Sequence, residues 1–217
     1  MKGYELLELL GRGHACETYD AWSHERGCRV VVRIPRPGHR RAVLREGRLL
    51  MRLSHPHVVR AYEAGWSGVV LETLGGATLG ALGRLDEDDA LELGRQLCSA
   101  VGYLHGRGWL HLDLKPDNLI AEAGRLKVID LSIAQRPGRI PPETGTRGFM
   151  APEQERGGAV GPAADVWGIG AVLRAAGHPD LAPGAQHPDP ARRPSVDALL
   201  RSLRGARSRP PHPQPAP

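Results

Sequence analysis

Asp113, Lys115 and Asn118 lie within one eight-residue run, His111-Leu112-Asp113-Leu114-Lys115-Pro116-Asp117-Asn118, and about a dozen residues later comes Val128-Ile129-Asp130-Leu131-Ser132. This pair of segments constrains the chain more than any other feature, because its polar groups are useful together only if the fold brings them to one point. Asp113 is an acid able to accept a proton from an attacking hydroxyl, and Lys115 is a point charge for a moving phosphate. Asn118 and Asp130 offer the hard oxygen ligands that Mg²⁺ takes alongside phosphates. Such a set suits phosphoryl transfer.

Upstream, residues 4–34 read as strands joined by a glycine turn, Gly11-Arg12-Gly13-His14-Ala15-Cys16-Glu17-Thr18-Tyr19, ahead of the β-branched run Val30-Val31-Val32-Arg33-Ile34. Glycine has no Cβ, so Gly11 and Gly13 let backbone come close to phosphates. Residues 39–53 read as a helix carrying Glu46, with Ala42, Leu49, Leu50 and Leu53 among its apolar positions. Two further strands are expected over 58–63 and 68–73. Over 86–106, Ala90, Leu93, Leu97, Val101 and Leu104 recur at three- and four-residue spacing and predict a core helix. Asp86, Glu87, Asp88 and Asp89 lie at its positive end, and Gly106 and Gly108 supply stop signals.

Taken in order, these landmarks resemble the eukaryotic-type Ser/Thr protein kinases, in a compact, bacterial (Hanks-like) style. The catalytic loop of that family reads H-R-D-L-x-x-x-N and its metal segment D-F-G. Later stretches agree: Gly145-Thr146-Arg147-Gly148-Phe149-Met150-Ala151-Pro152-Glu153, Asp165-Val166-Trp167-Gly168-Ile169-Gly170, and Asp189-Pro190-Ala191-Arg192-Arg193-Pro194-Ser195. The resemblance covers about residues 4–204. It implies an α+β, two-lobed fold: a small β-rich lobe over 1–75, a mainly helical and shortened lobe over 76–205, and a disordered Pro-rich tail over 206–217. It implies ATP with Mg²⁺ or Mn²⁺ as cofactors and a protein Ser/Thr hydroxyl as acceptor. Asp113 would be the base and Lys115 the phosphate stabiliser, with Arg33 and Glu46 completing the catalytic set. Asn118 and Asp130 would hold the metal. Gly11, Gly13, Thr18, Arg33, Leu71, Glu72, Leu74 and Leu119 would contact the nucleotide, Glu72 and Leu74 through their backbone. Thr146 would bond Asp113 and Lys115, Asp165 would hold the catalytic-loop backbone, and Arg193 would pair with Glu153. Lys115-Pro116 favours the Ser/Thr-directed branch.

The chain also departs from that family. Cys16 replaces a third glycine and Thr18 replaces a valine. Arg33 replaces the strand lysine that touches the α- and β-phosphates, and an arginine there is planar and forked where lysine is a point charge. A bidentate pair of Arg33 with Glu46 is expected, and three consequences stay open: Arg33 contacts phosphate in a shifted geometry; Arg12 assists; or transfer is weakened and the chain is a pseudokinase that binds a nucleotide or partner as a scaffold. Leu112 replaces the arginine that binds an activation-segment phosphate, which implies activity without that phosphate. Ser132 replaces a glycine. Residues 174–189 are short and Gly/Pro-rich, so a substrate-docking helix is expected to be missing or reduced.

Composition narrows the class further. Hydrophobic residues make up 41% of the 217, enough for a core, yet aromatics are only 4%, so Leu, Val and Ala must fill it. The net charge of +5 is carried mostly by dispersed arginine, with lysine only at 2, 115 and 127; without interleaved aromatics this implies no nucleic-acid partner. Cys16, Cys28 and Cys98 form no zinc-spaced cluster and fit a reducing cytoplasm. The start, Met1-Lys2-Gly3-Tyr4-Glu5, reads as no signal peptide, and no apolar run approaches a membrane span.

Overall fold

The computed structural model describes residues 1–206; apart from Ala206, the expected tail lies outside the described residues. In the first lobe the period-two alternation of β-branched residues builds a five-stranded antiparallel sheet from β1 (Tyr4–Arg12), β2 (Cys16–Ser23), β3 (Cys28–Pro35), β4 (Ala61–Gly65) and β5 (Gly68–Glu72). Their order is β1-β2-β3-β5-β4, with β1 an exposed edge. Ala21, Val30, Val32 and Val70 form an apolar cluster with Tyr4, Ile34 and Tyr62. The alternate residues of β2 and β3, Cys16, Thr18, Val31 and Arg33, line the cleft between the lobes.

Helix α1 (Arg40–Leu50) follows β3 and buries Val43, Leu44, Glu46, Gly47, Leu49 and Leu50. A Cβ on Gly47 would run into Val69 and Ala64, so this glycine sets how closely α1, and Glu46 with it, approaches the sheet. The helix ends at Leu50, short of the expected 53, because Arg52 and Leu53 donate to carbonyls three residues back and tighten into a turn. The next strand also differs from expectation. Val58 and Val59 do not extend β4; the Val59 and Val128 amides bond across to Val128 and His57 carbonyls, so this apolar pair joins the lobes.

The second lobe opens with β6 (Ala77–Thr78), α2 (Leu79–Leu82) and α3 (Glu87–Gly106). Asp86 caps α3, accepting the Asp89 amide at 2.8 Å. Then come β7 (Leu119–Glu122) and β8 (Arg125–Val128), which make a three-stranded sheet with β6. Next are β9 (Gly138–Ile140), α4 (Pro152–Arg156) and β10 (Gly158–Val160), with β9 and β10 paired antiparallel. Finally α5 (Pro162–Ala175) and α6 (Val196–Gly205) pack on α3. Leu97, Val101 and Leu104 of α3 meet Ile169 and Leu173 of α5 and Leu199 and Leu203 of α6 in the main core. Ser195 caps α6 through the Ala198 amide at 3.1 Å. Between α5 and Asp189 the only regular element is a single 3₁₀ turn, Pro179–Leu181. The molecule is thus α+β and two-lobed, with the cleft between a β-rich and a mainly helical part.

Candidate active site

The cleft has a volume of about 310 Å³ and is walled by the sheet on one side and by β7, Ile129 and Asp130 on the other. Of the residues picked from sequence, Gly13, Thr18, Arg33, Leu71, Glu72, Leu74, Asn118 and Asp130 line it. Gly11 does not; it sits exposed on β1, opposite Thr18. Leu119 is a second correction. It is fully buried in the core beneath the cleft, and its neighbour Ile120 lines the wall instead. The cause is strand alternation in β7, which turns successive side chains to opposite faces.

On the roof, Arg33 extends from β3 to Glu46 of α1, with Arg33 Nη1 donating to Glu46 Oε1 at 2.5 Å. The pair is not bidentate as foreseen. The Arg33 Nε–H donates instead to Cys16 Sγ at 3.2 Å. The same Glu46 oxygen accepts the Leu131 amide at 3.1 Å, tying α1 to the segment carrying Asp130. Burial opposes the Arg33 charge, but Glu46, Cys16 and Asp130 outweigh it and hold the guanidinium pKa above its usual value. For Glu46, burial raises the carboxyl against the pull of Arg33. Arg12 does not line the cleft; it makes an exposed pair with Glu17 at 3.5 Å.

Asp130 stands at φ 62°, in the left-handed region that a non-glycine residue occupies only when its surroundings hold it there. Its Oδ1 accepts the Ser132 amide at 3.0 Å. Burial would raise its pKa, yet Arg33, Ser132 and His111 together bring it below the ordinary carboxylate value. The acid is therefore ionised at neutral pH.

Across the cleft, the loop after α3 presents Asp113, Lys115 and Asn118 as one network. Thr146 Oγ1 donates to Asp113 Oδ1 at 2.6 Å and accepts from Lys115 Nζ at 2.8 Å. Lys115 Nζ lies 3.2 Å from Asp113 Oδ2. Asn118 Nδ2 donates to the Asp113 carbonyl at 2.9 Å and to Asp113 Oδ2 at 3.1 Å, which turns its own side-chain oxygen away from Asp113. Asp165 of α5 holds this loop, accepting the His111 and Leu112 amides at 2.9 and 2.8 Å. Gln154 adds a support that sequence reasoning missed: its amide donates to the Leu112 and Thr144 carbonyls, both at 2.8 Å. Gly145, at φ 128°, lies where a Cβ would meet the Leu112 carbonyl, so the Thr146 segment can sit against the loop only with glycine there. Arg193 pairs with both Glu153 oxygens, at 2.6 and 2.8 Å, beneath α4.

Sequence reasoning also missed Val59, Ile120 and Ile129 in the cleft wall, and Lys127, whose Nζ reaches Glu72 Oε1 at 2.6 Å. Alternation puts Leu119 and Ile120 on opposite faces of β7 without saying which face meets the cleft; Lys127 and Gln154 carry no signal in sequence beyond being polar. Among the described residues no helix is long and apolar enough to cross a membrane.

Residues 4–201 match the protein kinase domain family. The chain is 38% identical over 191 residues to CBL-interacting protein kinase 19 of Oryza sativa subsp. japonica, an alignment covering 78% of this chain and 38% of that protein. It is 36% identical over 194 residues to CBL-interacting serine/threonine-protein kinase 18 of Arabidopsis thaliana, covering 80% of this chain and 37% of the relative. The chain spans well under half the length of these relatives.

Proposed function

The chain belongs to the protein kinase domain family, and from that premise we propose that its cleft transfers the γ-phosphate of ATP to a Ser or Thr hydroxyl of a protein substrate. The observation that carries this reading is the single hydrogen-bonded network of Asp113, Lys115, Asn118 and Thr146, facing an ionised Asp130 and a closed Arg33–Glu46 pair. In-line transfer needs little covalent chemistry from the protein, only positioning and charge.

In the proposed step the substrate oxygen bonds to the γ-phosphorus as the bond to the β–γ bridging oxygen breaks, and ADP leaves with that electron pair. Asp113 takes the hydroxyl proton. Thr146 and Lys115 hold the Asp113 carboxylate in place, and Lys115 meets the charge on the phosphoryl oxygens. Arg33 faces the α- and β-phosphates. At the back of the cleft the Glu72 amide is already given to the Arg60 carbonyl, so the base is read by the Glu72 carbonyl and the Leu74 amide, with Leu71 behind it and Ile120 against one face.

A hard divalent cation fits this donor set. Asp130 offers an ionised carboxylate and Asn118 an uncommitted amide oxygen, while among the described residues no three His, Cys, Asp or Glu side chains are placed to hold a metal by themselves. Two protein ligands plus phosphates and water are what Mg²⁺ or Mn²⁺ would use, and the ion would neutralise phosphate charge. The bacterial, Hanks-like style is proposed from the missing docking helix between α5 and Asp189. A cytoplasmic location is proposed from the free Cys16, Cys28 and Cys98.

The test is transfer from labelled ATP with Mg²⁺ or Mn²⁺ to a mixed protein substrate. Transfer by the native chain that disappears in Asp113→Asn is the expected result. Transfer that persists in Asp113→Asn would overturn the assignment of the base. Absence of transfer in both the native chain and Arg33→Lys, with ATP still raising the unfolding temperature, would mark the alternative: a scaffold that binds nucleotide without chemistry.

A further inference from the structure

Two of the chain's oddities touch each other. Cys16 lies on β2 opposite Pro35, and Arg33 lies two residues back along β3 on the same face, a diagonal cross-strand pair. Cys16 is only 5% exposed, with its Sγ 3.2 Å from Arg33 Nε. We propose that Cys16 is a positioning residue for Arg33: its thiol accepts the Nε–H and fixes the plane of the guanidinium that faces the nucleotide phosphates. The proposal rests on the nucleotide-site reading above.

The reason is geometric. A guanidinium carries five N–H donors in one rigid plane, so its direction matters as much as its charge. The Nη1 contact to Glu46 anchors one tip and leaves the fork free to pivot about it. A second contact at Nε removes that freedom and presents the remaining Nη2 edge in one orientation. A lysine at position 33 would have one nitrogen, no plane and no Nε–H for the thiol. A glycine at position 16 would leave Nε without this partner, so a cysteine at 16 answers a need that only an arginine at 33 creates. The contact also closes a continuous path. The Gly13 amide bonds the Cys16 carbonyl at 2.9 Å, Cys16 holds Arg33, Arg33 holds Glu46, and Glu46 holds the Leu131 amide. The glycine turn over the phosphates is thereby linked to the backbone beside Asp130.

The experiment uses the full chain and four variants: Cys16→Ala, Cys16→Ser, Arg33→Lys and the double variant Cys16→Ala/Arg33→Lys. Two quantities are read: kcat and KM for ATP with Mg²⁺, and the unfolding temperature without nucleotide. With Arg33 present, Cys16→Ala should lower kcat/KM for ATP about tenfold, the worth of one hydrogen bond to a charged group. Cys16→Ser, which keeps an acceptor, should recover to within about threefold of native on the same scale. With Lys at position 33, Cys16→Ala should change kcat/KM by less than about twofold, because contacting residues couple where separate ones add. An equal fall in both backgrounds, or no fall with Arg33 present, overturns the proposal. Failure of serine to recover activity overturns the acceptor role. Absence of transfer by the native chain would overturn the phosphoryl-transfer reading and with it any effect of Cys16 on kcat/KM. The nucleotide-free unfolding temperatures would still decide the contact itself, since Cys16→Ala should lower them only when Arg33 is present.

Discussion

Glu46 carries three obligations with one carboxylate: it balances Arg33, accepts the Leu131 amide and fixes α1 to the cleft, with its side chain only 3% exposed and that of Arg33 14%. Glu46→Ala would leave the guanidinium uncompensated and a backbone N–H unpaired, a change expected to cost about 3–5 kcal/mol. Denaturant unfolding measures this, and a loss under about 1 kcal/mol would mean that water replaces the carboxylate freely. His55 makes a different prediction. Its Nδ1 accepts the His57 amide at 3.2 Å, which requires the unprotonated nitrogen. Burial, with His57, Arg107 and Lys127 nearby, lowers its pKa below the usual 6.5. The unfolded chain therefore takes up this proton first, so the stability it contributes is complete above 6.5 and is lost as pH falls through the lowered value. The unfolding temperature should drop from pH 7 toward pH 5 more in the native chain than in His55→Asn; parallel curves would remove His55 from the account.

At the scale of elements, the segment from Asp130 to Glu153 is pinned by the fold's own contacts. Leu110 and Gln135 exchange amide–carbonyl bonds at 2.7 and 3.1 Å, and β9 pairs with β10. The Leu112 side chain joins Leu110, Ile140, Ala151, Val160 and Ala164 in a separate apolar cluster. Leucine is thus where the resembling family has an arginine, and it faces apolar neighbours. Leu112→Ala should cost about 2–5 kcal/mol in unfolding free energy, and mass spectrometry of the active native chain should find no phosphate on Thr144 or Thr146. Activity that requires a phosphate on either residue would contradict an apolar anchor. Elements differed in how far the sequence revealed them. The α3 helix is plain in its apolar spacing, and Arg193–Glu153 and Asp165 followed from motif position. Val58 and Val59 look like any strand residues, and only the distant Val128 backbone makes them a bridge between lobes. Leu119 and Ile120 are equally apolar, so the side of β7 that meets the cleft became visible only with the register of β7 and β8. Gln154 acts through carbonyls, which every residue has, and so left no trace in side-chain chemistry.

For the whole molecule, the relevant contacts are those that cross between lobes. Lys127 holds Glu72, Glu122 accepts the Gly75 amide at 2.7 Å, Arg45 reaches the Ala134 carbonyl at 3.0 Å, and Val59 bonds Val128. With Glu46 bridging to Leu131 as well, the lobes are joined both at the hinge and at the mouth of the cleft. Heat should therefore unfold residues 1–206 in one transition, and a ligand spanning the cleft should shift all of it. ATP with Mg²⁺ at about a hundred times its Kd should add about 2.7 kcal/mol of stability. Asp130 sharpens the test, because its carboxyl serves the metal in the proposed site and is held ionised by Arg33 beside it. In Asp130→Asn the lift from ATP alone should survive while the extra lift from Mg²⁺ disappears, since the amide keeps an oxygen but not the charge a hard cation needs. If Mg²⁺ still adds to ATP in that variant, the ion is held elsewhere. Two separate transitions, only one of them moved by ATP, would mean that the cross-lobe contacts are too weak to couple the sheet to the helices.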